Sequence, residues 1–173
     1  SGQGPDTFDT ASGALSTVLI GSAEWNGGDI RSGAGQLYIA DGASILSDTR
    51  GIGNAGNIVI YDTELVDLSN GSISTAVDLI GTGQGGKVDI QTASLRLNNS
   101  SRIRADAEGQ GMAGNITINA QESISLETDS AITTQSSEAG IRAGDIAVVA
   151  PTVLLDSQSR ITAETESGDG GNI

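Results

Sequence analysis

The stretch Gly114-Asn115-Ile116-Thr117-Ile118-Asn119-Ala120 decides the fold, because the chain keeps returning to it. The order is a small residue, a glycine, an Asn or Asp, then two aliphatics one residue apart. It recurs at Gly28-Asp29-Ile30, Gly56-Asn57-Ile58-Val59-Ile60 and Gly144-Asp145-Ile146-Ala147-Val148. Lysine takes the polar place in Gly86-Lys87-Val88-Asp89-Ile90, and the pattern opens again at Gly171-Asn172-Ile173. The marker glycines at 28, 56, 86, 114, 144 and 171 are 28, 30, 28, 30 and 27 residues apart. A fixed period of about 20–50 residues is the signature of a solenoid.

Each period carries three short apolar alternations. After Gly86 they are Val88 and Ile90, Leu95 and Leu97, Ile103 and Ala105; after Gly114, Ile116 and Ile118, Ile124 and Leu126, Ile132 and Thr134. After Gly144 they are Ile146 and Val148, Val153 and Leu155, Ile161 and Ala163. The earlier units are looser: Ile58 and Ile60, Leu65 and Leu68, Ile73 and Thr75 after Gly56; Ile30, Leu37 and Ile39, Ile45 after Gly28. Apolar residues two apart mark the inward face of a strand, since side chains alternate. No sustained stripe at helical spacing exists, and glycine and β-branched residues stand where a helix tolerates them least.

One such coil cannot bury its own inward residues. Stacked in register, its strands pair with the coils above and below at about 4.8 Å per coil. The expectation is an all-β, right-handed parallel β-helix with about three short strands per coil of 28–30 residues. Five coils make a rod section of about 24 Å. Residues 1–10 read as a flexible lead, and 11–27 as the last third of a coil. There Ser16-Thr17-Val18-Leu19 and its glycine-rich exit resemble Ser74-Thr75-Ala76-Val77 and Gly81 to Gly86. Residues 28–173 read as the repeats, a section of a longer array. The third strand of each coil follows its Ile with a small residue, which implies a narrowed corner. Trp25, in the first exit loop, reads as a cover for the core rather than a ligand contact.

Composition excludes several functions. A net charge of −14 opposes nucleic acid and anionic membrane surfaces, which call for clustered Lys and Arg. The chain has no cysteine and no histidine, which removes disulfides, thiolate metal sites, the usual general base and the commonest zinc ligand. No run approaches the ~20 apolar residues of a membrane helix. No cofactor is implied, and no residue stands out as a catalytic, cofactor-binding or metal site.

Each candidate chemistry has a structural counterpart in the same residues. At the marker turn the glycine supplies φ > 0 or close backbone packing, and Asn or Asp bonds its own backbone or stacks in amide ladders. A phosphate-cradling loop is excluded because no Lys-Ser/Thr and no helix follow. Calcium-binding nonapeptides need a nine-residue beat that Gly27-Gly28-Asp29 and Asp169-Gly170-Gly171 lack. Asp106, Glu108, Glu138, Glu164 and Glu166 follow the third strand in successive coils and invite an acid–base reading. Arg102 and Arg160 hold one place in alternate coils and read as partners for outer-face acids. An ice-binding array fails because the outward series Leu46, Ser74, Arg104, Thr133, Thr162 is irregular.

The units Gly-Asn-Ile-x-Ile-x-Ala, with downstream Ser-x-Ile-x-Ala/Thr and a glycine-rich exit, resemble the filamentous-haemagglutinin-like exoproteins of bacterial two-partner secretion. They are most similar to the acidic repeats of the large cyanobacterial members. The resemblance covers Gly28 to Ile173. It implies a secreted or outer-membrane-associated β-helical shaft, exported through an outer-membrane partner and used in adhesion, without catalysis. It carries over no functional residue. The expected partners are further copies or coils meeting end to end, and cell-surface or matrix carbohydrate. The rival readings are a carbohydrate-active β-helix enzyme, a lyase or hydrolase, and a calcium- or ice-binding solenoid.

Overall fold

The computed structural model describes residues 15–18, 26–138 and 140–173. The lead at 1–10, most of the partial coil at 11–27 and Trp25 lie outside them. Among the described residues all regular structure is β. The strands are β1 (Leu15–Val18), β2 (Ile30–Ser32), β3 (Gln36–Ala40), β4 (Ser44–Thr49), β5 (Ile58–Ser69) and β6 (Ser72–Ser74). They continue with β7 (Val88–Asn98), β8 (Arg102–Arg104), β9 (Ile116–Leu126), β10 (Ala131–Ser136), β11 (Ile146–Val149), β12 (Thr152–Leu155) and β13 (Arg160–Thr165).

These strands form a parallel β-solenoid of about 5 turns. One sheet stacks the third strands in the order β1-β4-β6-β8-β10-β13, and the other stacks the rest in the order β11-β9-β7-β5-β2, with β3 on β5 and β12 on β9. Every strand pair is parallel, and like residues meet like: Ile58 lies against Val88, Val88 against Ile116, and Ile116 against Ile146. Ile73, Ile103, Ile132 and Ile161 form the matching row of the other sheet. The inward rows fuse into one aliphatic core whose middle coils are fully buried. A second small cluster, Val77, Ala107 and Ala113, sits under the glycine-rich exits.

Three details refine the pattern read from the sequence. In the coils starting at Gly56, Gly86 and Gly114 the first two strands run on as one bent strand, because pairing continues around the corner. The bend absorbs register shifts between Ile60 and Thr63 and between Thr92 and Ser94. In the Gly56 coil this shift makes Val66, not Leu65, the inward residue: Val66 is buried opposite Leu95, whereas Leu65 lies in the outer row with Gln36 and Ser94. Lastly, β1 pairs one residue out from the alignment on Ser74-Thr75. Leu15 sits opposite Leu46 and Ser16 opposite Ser47, which places like over like.

The marker glycines are fixed by close packing rather than by backbone sign. A Cβ on Gly114 would lie 1.8 Å from the Gly86 carbonyl oxygen, and one on Gly144 1.8 Å from that of Gly114. The left-handed conformations fall elsewhere, at Gly83 and Gly111 in the exits and at Asp41, Asn70, Asn99 and Asp129 at the corner before the third strand. The small third-strand residue packs onto the same glycine column. Thr75 Oγ1 donates to Gly86 O at 2.8 Å and Thr134 Oγ1 to Gly144 O at 2.7 Å.

Candidate functional site

The polar side chains of the rod fall into two groups, those committed between coils and those left over. The marker Asn and Asp belong to the first. Asn57 N–H donates to Asp29 Oδ1 at 2.9 Å, Lys87 N–H to Asn57 Oδ1 at 2.9 Å, Asp145 N–H to Asn115 Oδ1 at 2.8 Å, and Asn172 N–H to Asp145 Oδ1 at 2.8 Å. Each side chain therefore caps the backbone of the following coil, not its own. A second column in the exits does the same: Asn26 Oδ1 accepts the Asn54 N–H at 2.9 Å and Asn54 Oδ1 the Gln84 N–H at 2.8 Å. Both columns satisfy turn N–H groups that a regular ladder would leave unpaired.

The acids proposed from the sequence divide in the same way. Asp106 is 5% exposed; its Oδ1 accepts the Gln135 N–H at 2.9 Å and Thr133 Oγ1 at 3.3 Å from the next coil. Arg104 stands 3.9 Å away. Burial outweighs these partners and pushes the Asp106 carboxyl up to about 6. Asp48, which the sequence reading did not single out, repeats the device two coils earlier. It accepts the Ala76 N–H at 2.7 Å and Ser74 Oγ at 3.0 Å, and burial raises its pKa too. The signal that could have revealed it is its place three residues after the inward isoleucine of the third strand, Ile45 to Asp48, matched by Ile103 to Asp106 two coils on.

Asp106 and Glu164 share a row, but Gln135 occupies the coil between them. That sets them two coil spacings apart, about 9–10 Å. Glu108 lies 3.6 Å from Arg104, and Glu164 and Glu166 are exposed on the last coil. Arg102 and Arg160 do occupy one row around Ala131, and both reach Asp129, at 3.2 Å and 3.4 Å. The series Leu46, Ser74, Arg104, Thr133, Thr162 is one outward row, interrupted by the Arg104 guanidinium. Among the described residues no three carboxylates converge on a metal-sized space.

Part of the uncommitted group lines a groove of about 560 Å³ at the first corner of the coil. Its lining comes from four successive coils: Asp62, Thr63 and Glu64; Gln91, Thr92 and Ala93; Asn119, Ala120 and Gln121; and Val149. Thr63, Thr92 and Ala120 are buried and form the floor, while Asp62, Glu64, Gln91, Asn119 and Gln121 are exposed and form the sides. The floor is low because this row carries threonine and alanine where neighbouring rows carry Ile and Leu. Its threonine hydroxyls are spent locally, Thr63 on Tyr61 O and Thr92 on Ser94 O. Sequence reasoning missed the groove because its residues are outward-facing and share no motif.

Comparison with known proteins finds no matching family model, no similar curated protein and no similar solved structure.

Proposed function

We propose that this chain is a section of the structural shaft of a secreted or cell-surface exoprotein of the filamentous-haemagglutinin kind, adhesive or filament-forming and not catalytic. The observation that supports this most is continuity. Among the described residues about five coils of nearly constant length stack like over like, with no long insertion that would build a cleft. Such a stack is a spacer: its stiffness comes from backbone pairing along the axis and from a core shared by neighbouring coils. The committed Asn and Asp columns serve that same end.

The reading is tested on cells that make the parent protein. Antibodies against residues 28–173 should label the surface of intact cells, and their Fab fragments should reduce attachment to a carbohydrate-coated support. Label confined to permeabilised cells would overturn the surface assignment. The enzymatic alternative is tested by incubation with neutral and acidic polysaccharides. New reducing ends or unsaturated products, abolished by Glu164→Gln or Glu108→Gln, would replace the shaft reading with catalysis.

A further inference from the structure

We propose that the first-corner groove is a binding site for an extended, uncharged, hydroxyl-rich oligosaccharide lying along the rod axis. The shaft reading does not require it and stands whether or not the groove is filled. Three observations lead to it. The first is volume and direction: about 560 Å³ lies within the range of small-ligand sites, and contributions from four coils make the space a trough along the axis. The trough spans about 14 Å, three coil spacings. The rise of one coil is close to the length of one sugar in an extended chain, so three or four sugars fit.

The second observation is the chemistry of the walls. Gln91, Asn119 and Gln121 supply carboxamides, which both donate and accept, and Asp62 and Glu64 supply acceptors. That mixture matches hydroxyl groups, which need both. No cation lines the groove, so an acidic glycan would meet Asp62 and Glu64 and the chain's charge of −14 unopposed. The third is availability. On the marker and exit columns Asn and Asp side chains are spent on the next coil's backbone, whereas the side chains of Gln91, Asn119 and Gln121, the first two in register, make no hydrogen bond to the described residues. Gln91 and Asn119 thus present unspent amides one coil apart where the surface is also concave.

The test is isothermal titration of the 173-residue chain with cello-, malto- and mannohexaose, and with oligogalacturonate as the charged control. At least one neutral hexasaccharide should bind, with affinity rising from di- to tetrasaccharide and then levelling. Gln91→Ala with Asn119→Ala should weaken it by about tenfold or more, while Ser125→Ala on the adjoining outer face should leave it unchanged. The substituted residues are exposed, and an unaltered β-type circular dichroism spectrum shows that the fold is kept; Gln91→Glu with Asn119→Asp gives an isosteric second variant that should also weaken binding. The proposal fails if no neutral hexasaccharide binds, if the groove variants bind as the parent does, or if oligogalacturonate binds as tightly as the neutral chains.

Discussion

Asp106 is the residue where structure and charge pull against each other. Its carboxylate holds the Gln135 backbone N–H of the next coil, yet burial raises its pKa from 3.8 to about 6. Between those two values the folded chain holds the proton more tightly than the unfolded chain does, so this group adds stability as pH falls from above 6 toward 4 and withdraws it as pH rises. Asp48, shifted in the same direction, adds to the trend. Asp106→Asn keeps an acceptor for Gln135 and discards the buried charge. It should raise stability at pH 7 by on the order of 2–3 kcal/mol and flatten the pH dependence between 4 and 7; equal urea midpoints for variant and parent at pH 7 would refute this. The glycines offer a sharper contrast. Gly114→Ala drives a methyl into the Gly86 carbonyl and should cost several kcal/mol, whereas a Cβ on Gly35 meets nothing within 4 Å and Gly35→Ala should stay within about 0.5 kcal/mol of the parent. Thermal melts of the two variants measure the difference directly.

At the scale of the coil, the period, the inward rows and the marker turn were all legible in the sequence, because each rests on side-chain alternation or on a glycine that nothing else can replace. Ile116, Ile118, Ile124, Leu126 and Ile132, read as core from their spacing, are all fully buried. What was not legible is what depends on the neighbouring coil. Leu65 and Val66 are equally apolar, and only the register shift at the bend chooses between them. The roles of Asn57 and Asn115 were also ambiguous, since an Asn beside a glycine bonds its own turn or the next one with equal ease. The groove depended on a row of small residues whose effect on shape appears only once the coils are stacked. Lys87 marks the one place where the marker column is broken: it takes the bond from Asn57 but offers no acceptor to the Asn115 N–H. Lys87→Asn should complete the column and stabilise the rod by about 1 kcal/mol, seen as a higher urea midpoint and as slower amide exchange at Asn115. An unchanged exchange rate at that amide would show that the column is not the source of stability.

At the scale of the whole 173-residue chain, the inward positions of the last coil are uncovered. Val153 and Leu155 repeat the inward positions of Ile124 and Leu126, which are fully buried, yet they are 42% and 46% exposed. The outer edges of β11, β12 and β13 also leave backbone groups without a strand beyond them. An open parallel edge over exposed aliphatics is a template for another coil of the same kind. A parallel stack has a direction, so a contact between copies through this edge would be head to tail and would not close on itself. The expected product of such a contact is a filament rather than a dimer. The charge of −14 opposes that contact between like-charged rods, and salt screens the repulsion over a distance of about 8–10 Å. Association should therefore grow with both protein concentration and ionic strength, the reverse of a contact held by ion pairs. Val153→Lys with Leu155→Lys keeps the exposed coil but places charge where the next coil must sit, and should hold the chain monomeric. Sedimentation velocity at low and high salt separates the cases. A parent that stays monomeric at every concentration, or a double variant that assembles as readily, would show that the open coil does not drive assembly.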